Sequence, residues 1–169
     1  MDRLKVFWYK KIRHRWCHLY QAIFEREYKD MALPVVTSVH EIETRLSGLE
    51  YTPDKLVDRS SRPAATWARN KDDCDGYAGL AGAWLKQLGK EPVLLTVICK
   101  PGRLSHQVCV FEDDGTSWFF DLDHLRHTEG GYERIVGILA RHARKIICWY
   151  ISDVSTLEIR EFHEGGKHA

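Results

Sequence analysis

Near residue 90 the spacing of the apolar residues changes period, and that change limits what the chain can build. Before it, apolar residues recur at three- and four-residue steps, as in helices; after it come short β-branched runs divided by turn residues. Helices first, then an antiparallel meander with one helix inserted late, predict an α+β fold rather than a doubly wound parallel sheet. Strands are expected over 93–99, 106–111, 117–122, 146–151 and 156–162, with Pro101-Gly102 and Asp113-Asp114-Gly115 as turns. The late helix follows Gly130-Gly131, with Tyr132, Ile135, Val136, Leu139 and Ala143 on one side. A chain of 169 residues, 44% hydrophobic and 29% charged, can bury a core of its own, which excludes disordered-tail and low-complexity classes. A net charge of +1 gives no electrostatic case for nucleic acid.

The helical part begins with residues 4–28, read as one long amphipathic helix. Leu4, Trp8, Ile12, Trp16, Leu19, Ile23 and Phe24 fall on one stripe, and Arg3, Lys5, Lys10, Lys11, Arg13 and Arg15 stand against Asp2 alone. The favoured reading packs the stripe on the protein's own core; the alternative is an arm, residues 1–30, that meets a protein partner or an anionic membrane surface. A second helix is expected from Ser38 as cap, with Val39, Ile42 and Leu46 inward and Gly48 as its stop. Residues 49–73 read as loop, broken by Pro53, Ser60, Ser61 and Pro63; residues 31–163 form the main domain, and 164–169 a frayed tail.

The five cysteines are an odd number, widely spaced, with no Cys-x-x-Cys pair, so neither a disulfide framework nor a zinc ribbon is expected. The first ten residues lack the apolar core of a secretory signal, and no stretch is long enough to span a bilayer. The expected compartment is reducing and cytoplasmic.

Chemistry concentrates in Lys71-Asp72-Asp73-Cys74-Asp75-Gly76-Tyr77-Ala78. Asp72 or Asp73 can cap a helix running to about Leu88, which puts Cys74 in its first turn. There the helix dipole favours a thiolate, and unpaired N–H groups can receive an oxyanion. The flanking aspartates oppose this, so an imidazolium is needed nearby. Gly76, Gly79 and Gly82 each cost about 1 kcal/mol in a helix, which points to close approach of another element. His106 opens a strand, and Asp121 returns beside it across a hairpin. Cysteine, base and carboxylate in this order form the arrangement used in thiol acyl transfer. Taken alone, the cysteine reads as a structural thiol at the edge of the core and the histidine as a satisfied strand residue, and a lone aspartate carries no signal.

Residues 67–121 resemble the core of the transglutaminase-like superfamily, which has a papain-like fold. Asp73-Cys74-Asp75-x-Tyr77-Ala78 matches its helix start, His106-x-Val108 its strand histidine, and Trp118-Phe119-Phe120-Asp121 its aspartate strand. Leu49-Glu50-Tyr51-Thr52-Pro53-Asp54 and Pro63-x-x-Thr66-Trp67 are similar to bacterial and phage members that act as cysteine peptidases. The resemblance implies a Cys74–His106–Asp121 triad acting on a peptide or amide, with no cofactor and no metal. Asp123 stands as reserve for Asp121, and the Trp67 indole N–H as an oxyanion donor whose simpler reading is a core tryptophan. Asp72, where the family has glycine, adds charge beside the sulfur. Water as acceptor makes a hydrolase, the favoured reading, and an amine a transglutaminase; a non-catalytic binding module of the same fold is the remaining alternative. His124 and His127 lie beside Asp121 and Asp123 but read as loop residues rather than metal ligands.

Overall fold

The computed structural model describes residues 2–53, 59–102 and 105–165. The arm is helical, as its periodicity predicts: α1 (Asp2–Phe7), a π-helical turn (Trp8–Ile12), α2 (Arg13–Phe24) and a 3-10 turn (Arg26–Tyr28). For most of the expected stripe the orientation is the reverse of the favoured reading, while Trp8 and Trp16 are half-buried. Leu4, Phe7, Ile12, Leu19, Ile23 and Phe24 are exposed, while Arg13, Cys17, Gln21 and Glu25 are buried. In α2 the inward positions other than Cys17 are polar because polar groups await them. Gln21 donates to the Ser60 carbonyl at 2.8 Å, and Glu25 accepts from the Arg62 N–H and from Arg69, both at 2.7 Å.

Helix α3 (Val39–Leu46) starts where expected, the Ser38 hydroxyl accepting from the Glu41 N–H at 3.1 Å, and buries Ile42 and Leu46. The stretch expected as loop holds more structure. β1 (Glu50–Tyr51) pairs in parallel with β2 (Lys71–Asp72), and α4 (Pro63–Arg69) lies between them in sequence. Pro63, a breaker by sequence punctuation, occupies the first helical turn, where a missing N–H costs no hydrogen bond. Part of the family-like stretch, Asp54, lies outside the described residues.

Helix α5 (Cys74–Gln87) is buried along nearly its whole length. The main sheet has six strands: β3 (Val93–Lys100), β4 (His106–Asp113), β5 (Thr116–Asp121), β6 (His124–Thr128), β7 (Lys145–Asp153) and β8 (Ile159–Glu164). Their order is β6-β5-β4-β3-β7-β8 with every neighbour antiparallel, which makes the fold α+β. β6 replaces an expected loop: its sequence, His124-Leu125-Arg126-His127-Thr128, has no apolar run, and only edge pairing with β5 makes it a strand. Glu164, expected in the frayed tail, ends β8, and residues 166–169 lie outside the described residues.

Each face of the sheet carries its own core. Helix α6 (Gly131–Leu139) presses Ile135 and Val136 onto a sheet face that includes Leu95, Val97, Val108, Val110 and Phe119. α5 packs on the opposite face, with Leu80, Ala81, Trp84 and Leu85 clustered with Leu94, Cys109, Phe111 and Phe120. α1 lies over β7, where Val6 and Tyr9 meet Ile147, Cys148 and Tyr150. No helix among the described residues is long and apolar enough to cross a membrane.

The glycines of α5 divide by what surrounds them. A Cβ on Gly82 would stand 2.7 Å from Val154 and 3.4 Å from the Cys109 sulfur, and one on Gly76 2.2 Å from the Asp72 carboxyl carbon; one on Gly79 would touch only the Ser61 carbonyl, at 3.9 Å. Gly82→Ala is expected to destabilise the protein by about 1–3 kcal/mol in urea denaturation, and by less in a Val154→Ala background. Gly79→Ala should be neutral or stabilising by about 0.5–1 kcal/mol.

Candidate active site

Cys74 is the first residue of α5, and its thiol is half-buried. The preceding Asp73 is extended and its carboxylate accepts the Asp75 N–H at 3.0 Å, so Asp73 rather than Asp72 is the cap. The Cys74 thiol lies 3.8 Å from Asp75 Oδ1. The other four cysteines are buried and none is in a disulfide. Burial raises the thiols of Cys99 and Cys109 above the ordinary range and pushes Cys148 up to about 12.

The acids beside Cys74 are each engaged. Asp72 accepts the Thr66 hydroxyl at 2.7 Å and lies 3.5 Å from Arg69. Asp75 forms a buried ion pair with Arg13, which is what the polar face of α2 brings to the site. Sequence patterning gives no warning of this partner, because Arg13 reads there as one cation of a solvated run. Removing one side of a buried pair strands the other charge.

On the sheet, His106 and Asp121 are joined: Nε2 of the histidine is 2.7 Å from Oδ1 of the aspartate. They are diagonal neighbours, since the β4–β5 register that sets Cys109 opposite Phe120 brings position 108 opposite 121. Arg126 stands 3.3 Å from the other carboxylate oxygen. Asp121 is held below the usual carboxylate range, chiefly by the histidine hydrogen bond, with the charges of His106, Arg126 and His124 adding to it and burial opposing. A depressed carboxylate stabilises the fold fully above its unfolded value, and that contribution fades as pH falls through the folded one.

The start of α5 and the His106–Asp121 pair lie toward one end of the sheet. Gly82 fixes α5 against Cys109, and at the helix start Tyr77 lies within the field of Asp123, two residues beyond Asp121. Cys74, the start of β4 and the end of β5 therefore share that end. Alternation along β4 turns Gln107, Cys109 and Phe111 toward α5 and His106, Val108 and Val110 toward the α6 face. His106 opens the strand, so its ring lies at the sheet's open margin and is partly exposed. Gln107 carries no signal in the sequence: it is buried, its Oε1 accepts the Thr96 hydroxyl at 2.7 Å, and its Nε2 has no partner among the described residues.

Trp67 is half-buried against the core, edge-on to Trp84 with ring centres 5.4 Å apart and under the Arg45 guanidinium at 5.8 Å. Those contacts are the packing reading of this residue. Asp123 is in the two-residue turn after β5 and lies 3.9 Å from His124. His124 and His127, three apart on a strand, point to opposite faces, and His127 lies against Trp118. Asp73, Cys74 and Asp75 offer ligand atoms within 4.8 Å of one another, but a cation there must displace the cap and compete with Arg13.

Neither a protein-family model nor a curated protein matches the chain.

Iodoacetamide is expected to modify Cys74 alone in the native protein, the other four thiols reacting only after denaturation; peptide mapping reads this directly. Arg13→Ala should cost about 3–5 kcal/mol in urea denaturation, and less when Asp75→Asn is also present.

Proposed function

We propose that the protein is a thiol-dependent acyl-transfer enzyme that hydrolyses an amide or peptide bond, with Cys74 as nucleophile, His106 as base and acid, and Asp121 as the group that orients the imidazole. The observation that carries this reading is the 2.7 Å bond between His106 Nε2 and Asp121 Oδ1. It commits one ring nitrogen, Nε2, to the carboxylate, as a base-and-orienter pair requires. The position of Cys74 at the start of a long buried helix supports the same role. The antiparallel sheet against that helix, together with the three-part motif, supports a transglutaminase-like, papain-like core.

In this mechanism the Cys74 thiolate attacks the carbonyl carbon, and the oxyanion is received by backbone N–H groups of the first turn of α5. His106 protonates the leaving amine as the C–N bond breaks, which leaves a thioester on Cys74. Water then attacks the thioester, His106 takes its proton, and the acid departs as the thiolate re-forms. An amine in place of water would make the reaction a transamidation. Because His106 opens β4 on the face away from α5, this mechanism requires its ring to reach around the start of that strand to Cys74.

A second reading, a binding module that keeps the fold without turnover, is favoured by one observation: alternation turns His106 to the face opposite Cys109. The pH dependence of Cys74 alkylation separates the two. A thiolate–imidazolium pair should react well below pH 7, and His106→Ala should return the profile to an ordinary thiol with pKa of about 8.5. Asp121→Asn should give an intermediate profile. A wild-type thiol that titrates near 8.5, unmoved by His106→Ala, refutes the triad.

A further inference from the structure

The outer face of the arm has no role in the fold or in the proposed chemistry, yet it is strongly patterned. Leu4, Leu19, Ile23 and Phe24 are 74%, 52%, 59% and 65% exposed, and Phe7 and Ile12 join them. The π-helical turn accounts for their alignment. An extra residue per turn shifts the helical phase by about 100°, which carries Ile12, Leu19 and Ile23 into line with Leu4 and Phe7. Between Asp2 and Glu25 the chain has no acidic residue, and Arg3, Lys10, Lys11 and Arg15 are exposed beside the apolar stripe. Asp2 is itself engaged by Lys100 and Lys145.

Where α1 meets the start of β7 there is an open groove of about 550 Å³. Arg3, Lys10, Lys11 and Lys145 line it with Phe7, and its acidic lining residues are Asp2 and Glu164. Cations around an apolar floor suit a phosphate headgroup whose acyl chains continue along the stripe.

We propose that the arm is an interfacial helix that holds the protein on an anionic lipid surface, lying flat with Leu4, Phe7, Ile12, Leu19, Ile23 and Phe24 in the headgroup–acyl boundary. Charge selects this occupant over a second copy of the chain. A symmetric pairing of two such faces would bring Lys11 and Arg15 against the same cations, with no acid on the stripe to offset them. The inner face fits the same role, because Arg13, Gln21 and Glu25, with Val6 and Tyr9 packed on β7, keep the arm attached to the domain while the outer apolar face is committed elsewhere.

Co-sedimentation of the full chain with vesicles tests this. Binding is expected to phosphatidylcholine vesicles containing about 30 mol% phosphatidylglycerol, to be weaker by at least about tenfold on phosphatidylcholine alone, and to fall steeply with added salt. Lys11→Glu with Arg15→Glu should lower partitioning at least about twentyfold, at roughly fivefold for each cation removed plus the repulsion added. Leu19→Glu with Ile23→Glu should abolish it, with an unchanged far-ultraviolet circular dichroism spectrum because both sites are exposed. No binding to the anionic vesicles, equal binding to neutral ones, or unaltered binding of either double variant overturns the proposal. A dimer in lipid-free sedimentation that Leu19→Glu dissociates, with no vesicle binding, overturns it in favour of self-association.

Discussion

Everything in the site is referred to the burial of α5. Leu80, Ala81, Trp84 and Leu85 are fully enclosed, and Gly82 lets the helix backbone come close to Cys109 and Val154. A helix clamped this way has little freedom to slide or rotate, since interiors at crystal-like density transmit any displacement to their neighbours. The first residue of α5 is therefore placed by its third turn. Cys74 does not depend on a loop for its position, and its setting is as rigid as the core that holds the far end of the helix.

That rigidity concentrates negative charge. Asp72, Asp73 and Asp75 surround one thiol, and their unopposed field would hold it protonated. The fold distributes the load: Asp72 goes to Thr66 and Arg69, Asp73 to the helix cap, and Asp75 to Arg13. The same contacts explain Gly76, because the Asp72 side chain folds across the space a Cβ there would fill. The charge that Asp72 adds beside Cys74 is thus taken up by α4. Arg13 binds the arm into this arrangement, so the N-terminal helix belongs to the electrostatics of the site even though its sequence reads as a separate segment.

The sheet, α3 and α5 were legible because local signals and tertiary packing agree there. β-branched runs fall on β3 and β7, Ser38 and Asp73 cap their helices, and Asp114 and Gly115 take the positive φ that a tight hairpin needs. The His106–Asp121 pair was legible for the same reason: hairpin register is fixed by turn length, so two side chains can be matched across it. Elements that owe their form to neighbours were not. β6 has strand geometry only because β5 offers it an edge, and α4 begins with a proline that sequence punctuation alone marks as a break.

The arm shows why the remainder was illegible in principle. Periodicity reports that a helix has an apolar and a polar side, and it correctly gives the period; it carries no information about which side faces the protein. That choice belongs to the partner surface. Here the surface presents the Ser60 carbonyl, the Arg62 N–H, Arg69 and Asp75, all of which need hydrogen bonds or charge when buried. An apolar face laid against them would take the arm's partner from the Ser60 carbonyl, the Arg62 N–H and Asp75, at about 1–3 kcal/mol apiece and more for the charged group, while Arg69 would keep Ser61 and Asp72. The polar row Arg13, Gln21 and Glu25 answers them, and the apolar row is turned outward as a consequence. Exposed hydrophobic residues on this helix are thus the result of a well-satisfied inner interface, and a contiguous stripe of them is the kind of surface that marks an interaction site.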